Sequence, residues 1–286
     1  MMDLRSRIYV TAGLVFVVLG LLLIFQVQSL GKLRLVFCDV GQGDGILIIT
    51  PGGKQILVDG GPGKKITECL SSKMPFWDRN IELMIPTHPQ QDHIEGQIDV
   101  FEKYHVGQVA YTGVENKAQF FAQWKKDLQN ERTKVTIVKR GDRISVGDVS
   151  LDVLWPSSEA EEEWKQKAPA DLNESSVVLR LSWGSFCAYF TGDITKEILN
   201  GLLYKQCEVL KVAHHGSKTG TNDQTIVKSG AKIAVIQVGK NNRYGHPKQE
   251  VLDVLGEYKV NILRNDLLGT IELDTNGKQV TEKTDR

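Results

Sequence analysis

Two histidines and an aspartate crowd into six residues, His88, Asp92 and His93, within the stretch Thr87-His88-Pro89-Gln90-Gln91-Asp92-His93-Ile94-Glu95-Gly96. Neutral imidazole and carboxylate are donors that zinc, manganese and iron accept, so the spacing points to a divalent cation. Asp92 and His93 are adjacent and leave the backbone in different directions. A turn lets both reach one point, where a regular strand or helix would not. Two further clusters offer the same chemistry, Thr191-Gly192-Asp193 and His214-His215-Gly216-Ser217. The two carboxylate oxygens of Asp193 can each bind a separate ion. Alone, Thr-Gly-Asp reads as a turn and helix N-cap, and a His-rich turn as solvated surface. Together they read as one centre.

Such a centre needs strands that end along a common edge. Residues 81–86 read as a buried strand running into the His-rich turn, with a helix from 94 to 104. Residues 33–40, 46–50 and 55–59 form a glycine-punctuated meander that ends in Asp59-Gly60-Gly61. Asp59 can hydrogen-bond the His-bearing turn and orient its imidazoles, or serve only an Asx-Gly turn. Asp39 and Asp44 flank a Gly-rich turn and either shape the cleft or serve the turn alone. Strands are predicted over 106–111, 133–138 and 149–154, and a hairpin over 175–181 and 185–191. Further strands follow at 209–213, 233–237, 261–264 and 269–274, with helices at 118–129, 195–203 and 249–258. All histidines but His105 follow predicted strands, and His246 precedes the last helix. His105 reads as a cap or surface residue. Residues 157–171 read as a charged, mobile loop and the last dozen as a loose tail.

The chain has 286 residues, enough for one large domain or two packed halves. Its 35 basic and 35 acidic residues exclude a global basic field, so any nucleic-acid contact must be local. Residues 8–25 carry no formal charge and are long enough to cross a bilayer as a helix. Arg5 and Arg7 precede them, which keeps that end cytoplasmic and places the remainder outside. The expected organisation is an N-terminal transmembrane anchor over 1–30 followed by a soluble, extracytoplasmic domain over 31–286. The competing reading of 1–30 is a signal peptide cleaved near Val27-Gln28-Ser29. Cys38, Cys69, Cys187 and Cys207 show no paired spacing. Cys38 and Cys187 lie in apolar runs and read as small core residues, with no disulfide indicated.

In order along the chain, the motifs resemble the metallo-β-lactamase superfamily, and within it the metallo-hydrolase domain of the competence protein ComEC. The residues that carry the resemblance are Phe37-Cys38-Asp39-Val40-Gly41-Gln42-Gly43-Asp44, Leu57-Val58-Asp59-Gly60-Gly61 and the stretch from Thr87 to Gly96. They continue with Asn173-Glu174-Ser175-Ser176-Val177-Val178-Leu179, Thr191-Gly192-Asp193, Lys211 to Ser217 and Tyr244-Gly245-His246-Pro247. The implied fold is α/β, a four-layered αββα sandwich with metals in a cleft along one edge of its two sheets. The implied ligands are His88, Asp92, His93, Asp193 and one of His214 or His215, holding zinc or manganese. The implied activity is a membrane-tethered, metal-dependent hydrolase of phosphodiesters, with nucleic acid as substrate. In that reading Asp92 or Asp193 holds the nucleophile in line, and His246 or Lys218 stabilises the transition state or protonates the leaving oxygen.

Two departures qualify the resemblance. Gln90 stands where such sites carry His or Asp, and a neutral amide oxygen is a poorer ligand. No histidine lies between His105 and His214. The expectation is an asymmetric centre, with one ion held well and a second weakly or not at all. A non-catalytic binding module of the same fold is the alternative, and a small ester or lactam hydrolase the weaker third reading.

Overall fold

Runs such as Leu33–Phe37, Gly45–Ile49 and Gln55–Asp59 are apolar almost without interruption because both of their faces are covered. Successive strand side chains point to opposite faces. Leu33, Leu35, Phe37, Ile46, Ile48, Ile56 and Val58 accordingly enter one core, while Val36, Leu47, Ile49 and Leu57 enter another. The computed structural model describes residues 31–130 and 133–286, with only residues 9, 13, 14, 16, 17 and 20 before them. Most of the apolar run 8–25 therefore lies outside the described residues. No described helix is long and apolar enough to cross a membrane.

The strands form an eight-stranded and a seven-stranded sheet, plus a two-stranded pair, Asn80–Ile81 with His105–Val106. Three cores define four layers. The first lies between the large sheets. The second joins the eight-stranded sheet to helices Lys65–Lys73, Gln91–Lys103 and Gln119–Asn130. The third joins the seven-stranded sheet to helices Lys196–Leu202, Asp223–Ser229 and Gln249–Glu257. The expected αββα sandwich is present. Gln55–Asp59 and Leu83–Ile85 run parallel in one sheet, as do Phe186–Phe190, Val209–Lys211 and Ile233–Ile236 in the other. The loops leaving these five strands meet at one edge.

Several expectations need correction. The helix expected from residue 94 starts at Gln91, so Asp92 and His93 occupy its first turn. Gln90 is its extended N-cap residue, and an acid in the first turn favours the helix dipole. The charged segment 157–171 contains a helix, Ser158–Trp164, started by Ser157 accepting a hydrogen bond from the Ala160 N–H (3.1 Å). The last residues are no loose tail: Val280–Thr284 pairs antiparallel with Ile271–Thr275 at the sheet edge. All four cysteines are paired, Cys38 with Cys69 and Cys187 with Cys207. The helices carrying Cys69 and following Asn222 were not anticipated.

Candidate metal centre

Three imidazoles share one design. His93 turns its Nδ1 to the Asp59 carboxylate (2.9 Å), and His215 turns its Nδ1 to the Gln237 carbonyl (2.9 Å). His88 has its Nδ1 beside the hydroxyls of Thr87 (3.1 Å) and Ser176 (3.4 Å). In each case Nε2 is left buried and without a hydrogen bond. The Nε2 atoms of His93 and His215 both stand 3.3 Å from Oδ2 of Asp193. Asp92 reaches the same group from the rim, 3.5 Å from His215 Nε2. His88, His93 and Asp193 form one set of converging ligand atoms, and Asp92, His93 and His215 another. Imidazoles tethered at Nδ1 and open at Nε2, facing shared carboxylates, suit a divalent cation. The residues present fit the group that their types suggested.

The backbone is bent to make this possible. Asp59, His214 and His215 have φ of 57°, 52° and 53°, in the left-handed region that costs an L-residue roughly 1–2 kcal/mol. Such conformations persist where the surroundings overdetermine them, and they collect at functional sites. Asp59 repays the bend by accepting from both the Thr87 N–H (2.7 Å) and the Thr87 hydroxyl (2.8 Å) as well as facing His93. The Gly-rich turn before Gly45–Ile49 seats the helix that bears Asp92 and His93. A Cβ on Gly43 would lie 2.1 Å from the Asp92 carbonyl oxygen, and the next N–H, of Asp44, donates to that oxygen (3.1 Å).

The charge balance contains a residue that the sequence analysis did not single out. Lys211, the last residue of its strand, is fully buried. Its ammonium is ion-paired with Asp44, lies 3.7 Å from Asp193 Oδ1 and donates to the Gly192 carbonyl (3.0 Å). A lysine in the middle of an otherwise apolar run was the available signal. Burial disfavours this ammonium, but Asp44 and Asp193 outweigh burial and raise its pKa. Burial likewise disfavours charge on Asp193, yet His215 and His93 hold its carboxyl well below the usual range. For His93 and His215, burial is overcome by Asp193 together with Asp59 or Asp44, and both pKa values rise well above 6.5. The pocket is thus an anionic field that draws positive charge onto its imidazoles. His88 behaves oppositely: burial, then the charge of His93, push it down to about 3.

The remaining candidates separate clearly. Of the histidine pair, His215 lies inside the cluster, while His214 is partly exposed with its Nε2 3.9 Å from Asp193. His246 sits at the rim, its ring 5.9 Å from that of His214 and stacked on Tyr244. Burial and then His214 push its pKa down to about 4. Lys218 is exposed, and among the described residues its ammonium makes no hydrogen bond or ion pair with the cluster. Asp44 belongs to the site through Lys211 and His215, whereas Asp39 serves its own turn and Arg286. Gln90 is partly buried beside the cluster and its side chain makes no capping hydrogen bond. Ser176, whose hydroxyl accepts from the Asp193 N–H (3.0 Å), ties Asp193 to His88.

No family model matches the chain. It is 33% identical over 292 residues to ComE operon protein 3 of Bacillus subtilis (strain 168), covering 93% of this chain and 36% of that protein. It is 25% identical over 241 residues to competence protein ComA of Neisseria gonorrhoeae, covering 82% and 31% respectively. The chain thus spans about a third of the length of these curated relatives. Among solved structures, the metallo-beta-lactamase fold protein YhfI from Bacillus subtilis superposes with a TM-score of 0.52 at 13% identity, over 82% of this chain and 95% of that one.

Proposed function

We propose, for a chain that belongs to the metallo-β-lactamase superfamily, that it is a metal-dependent phosphodiesterase acting on nucleic acid. The reading is carried by three buried imidazole Nε2 atoms, all without hydrogen bonds, gathered around Asp193. Competence proteins among the relatives support nucleic acid as the substrate class. The apolar run 8–25 supports a membrane tether, single-pass in the cell membrane, with the domain on the extracytoplasmic side.

His88, Asp92, His93, Asp193 and His215 would hold the cation, zinc or manganese, with His214 at its rim. When bound, such an ion supplies Lewis acidity and makes water ionise near neutral pH. The other groups act through position. Asp59 and the Gln237 carbonyl keep the imidazoles of His93 and His215 facing inward. Asp92, the most exposed of the carboxylates, stands at the mouth of the site, where it can accept a hydrogen bond from water and hold it in line. His246, neutral at pH 7, would offer a hydrogen bond to a phosphoryl or leaving oxygen and not a positive charge. Lys218 would contribute charge only by reaching in from the surface. The asymmetry expected from Gln90 is reinforced by Lys211, which already supplies a fixed cation beside Asp193.

The test is turnover by the full chain of single- and double-stranded DNA with manganese and with zinc, against an Asp193→Asn control. Cleavage lost in the control supports the reading, and no turnover with either metal overturns it. Gln90 favours a second reading, a binding module of this fold. Activity appearing only in Gln90→His would establish that alternative.

A further inference from the structure

The sheet has two distinct ends. Gly31, where the chain arrives from the apolar run 8–25, donates its N–H to the Pro51 carbonyl (3.1 Å). At that end Leu33–Phe37, Gln55–Asp59, Leu83–Ile85 and Lys134–Ile137 begin, and Gly45–Ile49 and Ile271–Thr275 finish. The metal cluster follows Asp59 and Ile85, at the opposite end, a five-residue strand of about 16 Å away.

On the Gly31 end, the loop between helix Lys65–Lys73 and strand Asn80–Ile81 displays Phe76 and Trp77, 77% and 54% exposed. Their rings touch edge to face at 4.8 Å. The loop is fastened to the turn that receives Gly31: Gln55 Nε2 donates to both the Gly53 carbonyl (2.8 Å) and the Asp78 carboxylate (2.9 Å). The same end of the sheet carries the exposed cations Lys32, Lys54, Arg79, Lys134 and Lys278, spread across its width. The acids at this end are Glu102, Asp148 next to Gly147 against Thr50, and two already hydrogen-bonded to Gln55, Asp78 and Glu82. Exposed aromatic rings amid lysines suit the lipid headgroup region, where the rings bury and the ammonium groups meet anionic lipid.

We propose that this end of the domain rests on an anionic bilayer surface through Phe76 and Trp77, with the metal cluster turned away from the membrane. The inference rests on the reading of residues 8–25 as a membrane span. It favours lipid over nucleic acid, because a strand bound at this end lies a full sheet length from the cluster.

The experiment places the full chain in vesicles of phosphatidylglycerol and phosphatidylcholine with brominated acyl chains. Bromine quenches tryptophan that reaches the interface. Wild-type emission should be quenched at least about twofold more than that of Trp77→Phe, with the difference shrinking in phosphatidylcholine alone and in high salt. Equal quenching of the two proteins on vesicles that retain the chain overturns the proposal. Quenching of Trp77 by an added oligonucleotide but not by lipid also overturns it, assigning the face to nucleic acid. Alkaline carbonate extraction reports on the span separately. A chain released by carbonate refutes the span, while Trp77 quenching on intact vesicles still decides the face.

Discussion

Replacing Lys211 with Met removes the only ammonium paired with Asp44 and Asp193 among the described residues, while keeping most of the side-chain volume. At 3.7 Å and an effective dielectric near 20, the attraction to Asp193 alone is about 4.5 kcal/mol. Deleting one partner of a buried pair costs about 3–5 kcal/mol, because the other charge stays buried and uncompensated. A domain's whole stability is about 5–15 kcal/mol, so metal-free Lys211→Met should unfold at markedly lower urea. The same vacated charge makes the pocket more anionic, so a divalent cation should bind more tightly and restore more stability than in wild type. Urea unfolding with chelator and with manganese gives both quantities. Lys211→Met/Asp44→Leu, which removes both partners, should recover much of the metal-free loss. An unchanged midpoint in chelator, or weaker metal binding by Lys211→Met, would refute the role of Lys211 as the built-in counter-charge.

Because His93 and His215 have raised pKa values in the folded, metal-free chain, their contribution to stability is present below pH 6.5 and fades as pH climbs through those raised values. Urea midpoints in chelator should therefore fall from pH 6.5 upward, and metal binding should release protons, measurable by calorimetry in buffers of different ionisation enthalpy. Asp59→Asn weakens the acceptor behind His93 and should lower metal affinity by about 10–100-fold, read by competition with a chelating dye, with the circular dichroism spectrum retained. The Cys38–Cys69 and Cys187–Cys207 bridges span 31 and 20 residues. Reducing them should each cost about 2–4 kcal/mol, so Tm should drop on reduction at fixed metal concentration. An unchanged Tm would show that the bridges do not form in solution.

The strands were legible because they are buried on both faces and punctuated by glycine turns, a pattern that local sequence displays directly, whereas the sandwich they build was legible only through the family resemblance. That these side chains would gather at one edge was legible for a related reason: His88, Asp193 and His215 lie within a few residues of the ends of such strands. What escaped depends on contacts distant in sequence. The partner of Cys38 lies on a helix, Lys65–Lys73, whose apolar face is short, and no spacing rule links the two. Lys211 read as one more residue of the strand expected over 209–213, because its value lies in Asp44, which arrives from a turn far earlier in the chain. That His215 and not His214 turns into the cluster is set by the Gln237 carbonyl, a group no side-chain motif records. Asp92 and His93 were assigned to a turn because helix starts are set by the N-cap conformation of Gln90 and not by composition.

The most direct measurement is the number of ions per chain in purified wild type, His214→Ala and His215→Ala after equilibration with manganese or zinc. The account predicts bound metal in wild type, most of it kept by His214→Ala and nearly all lost by His215→Ala. Wild type that holds no metal, or a His215→Ala protein that holds as much as wild type, would contradict it.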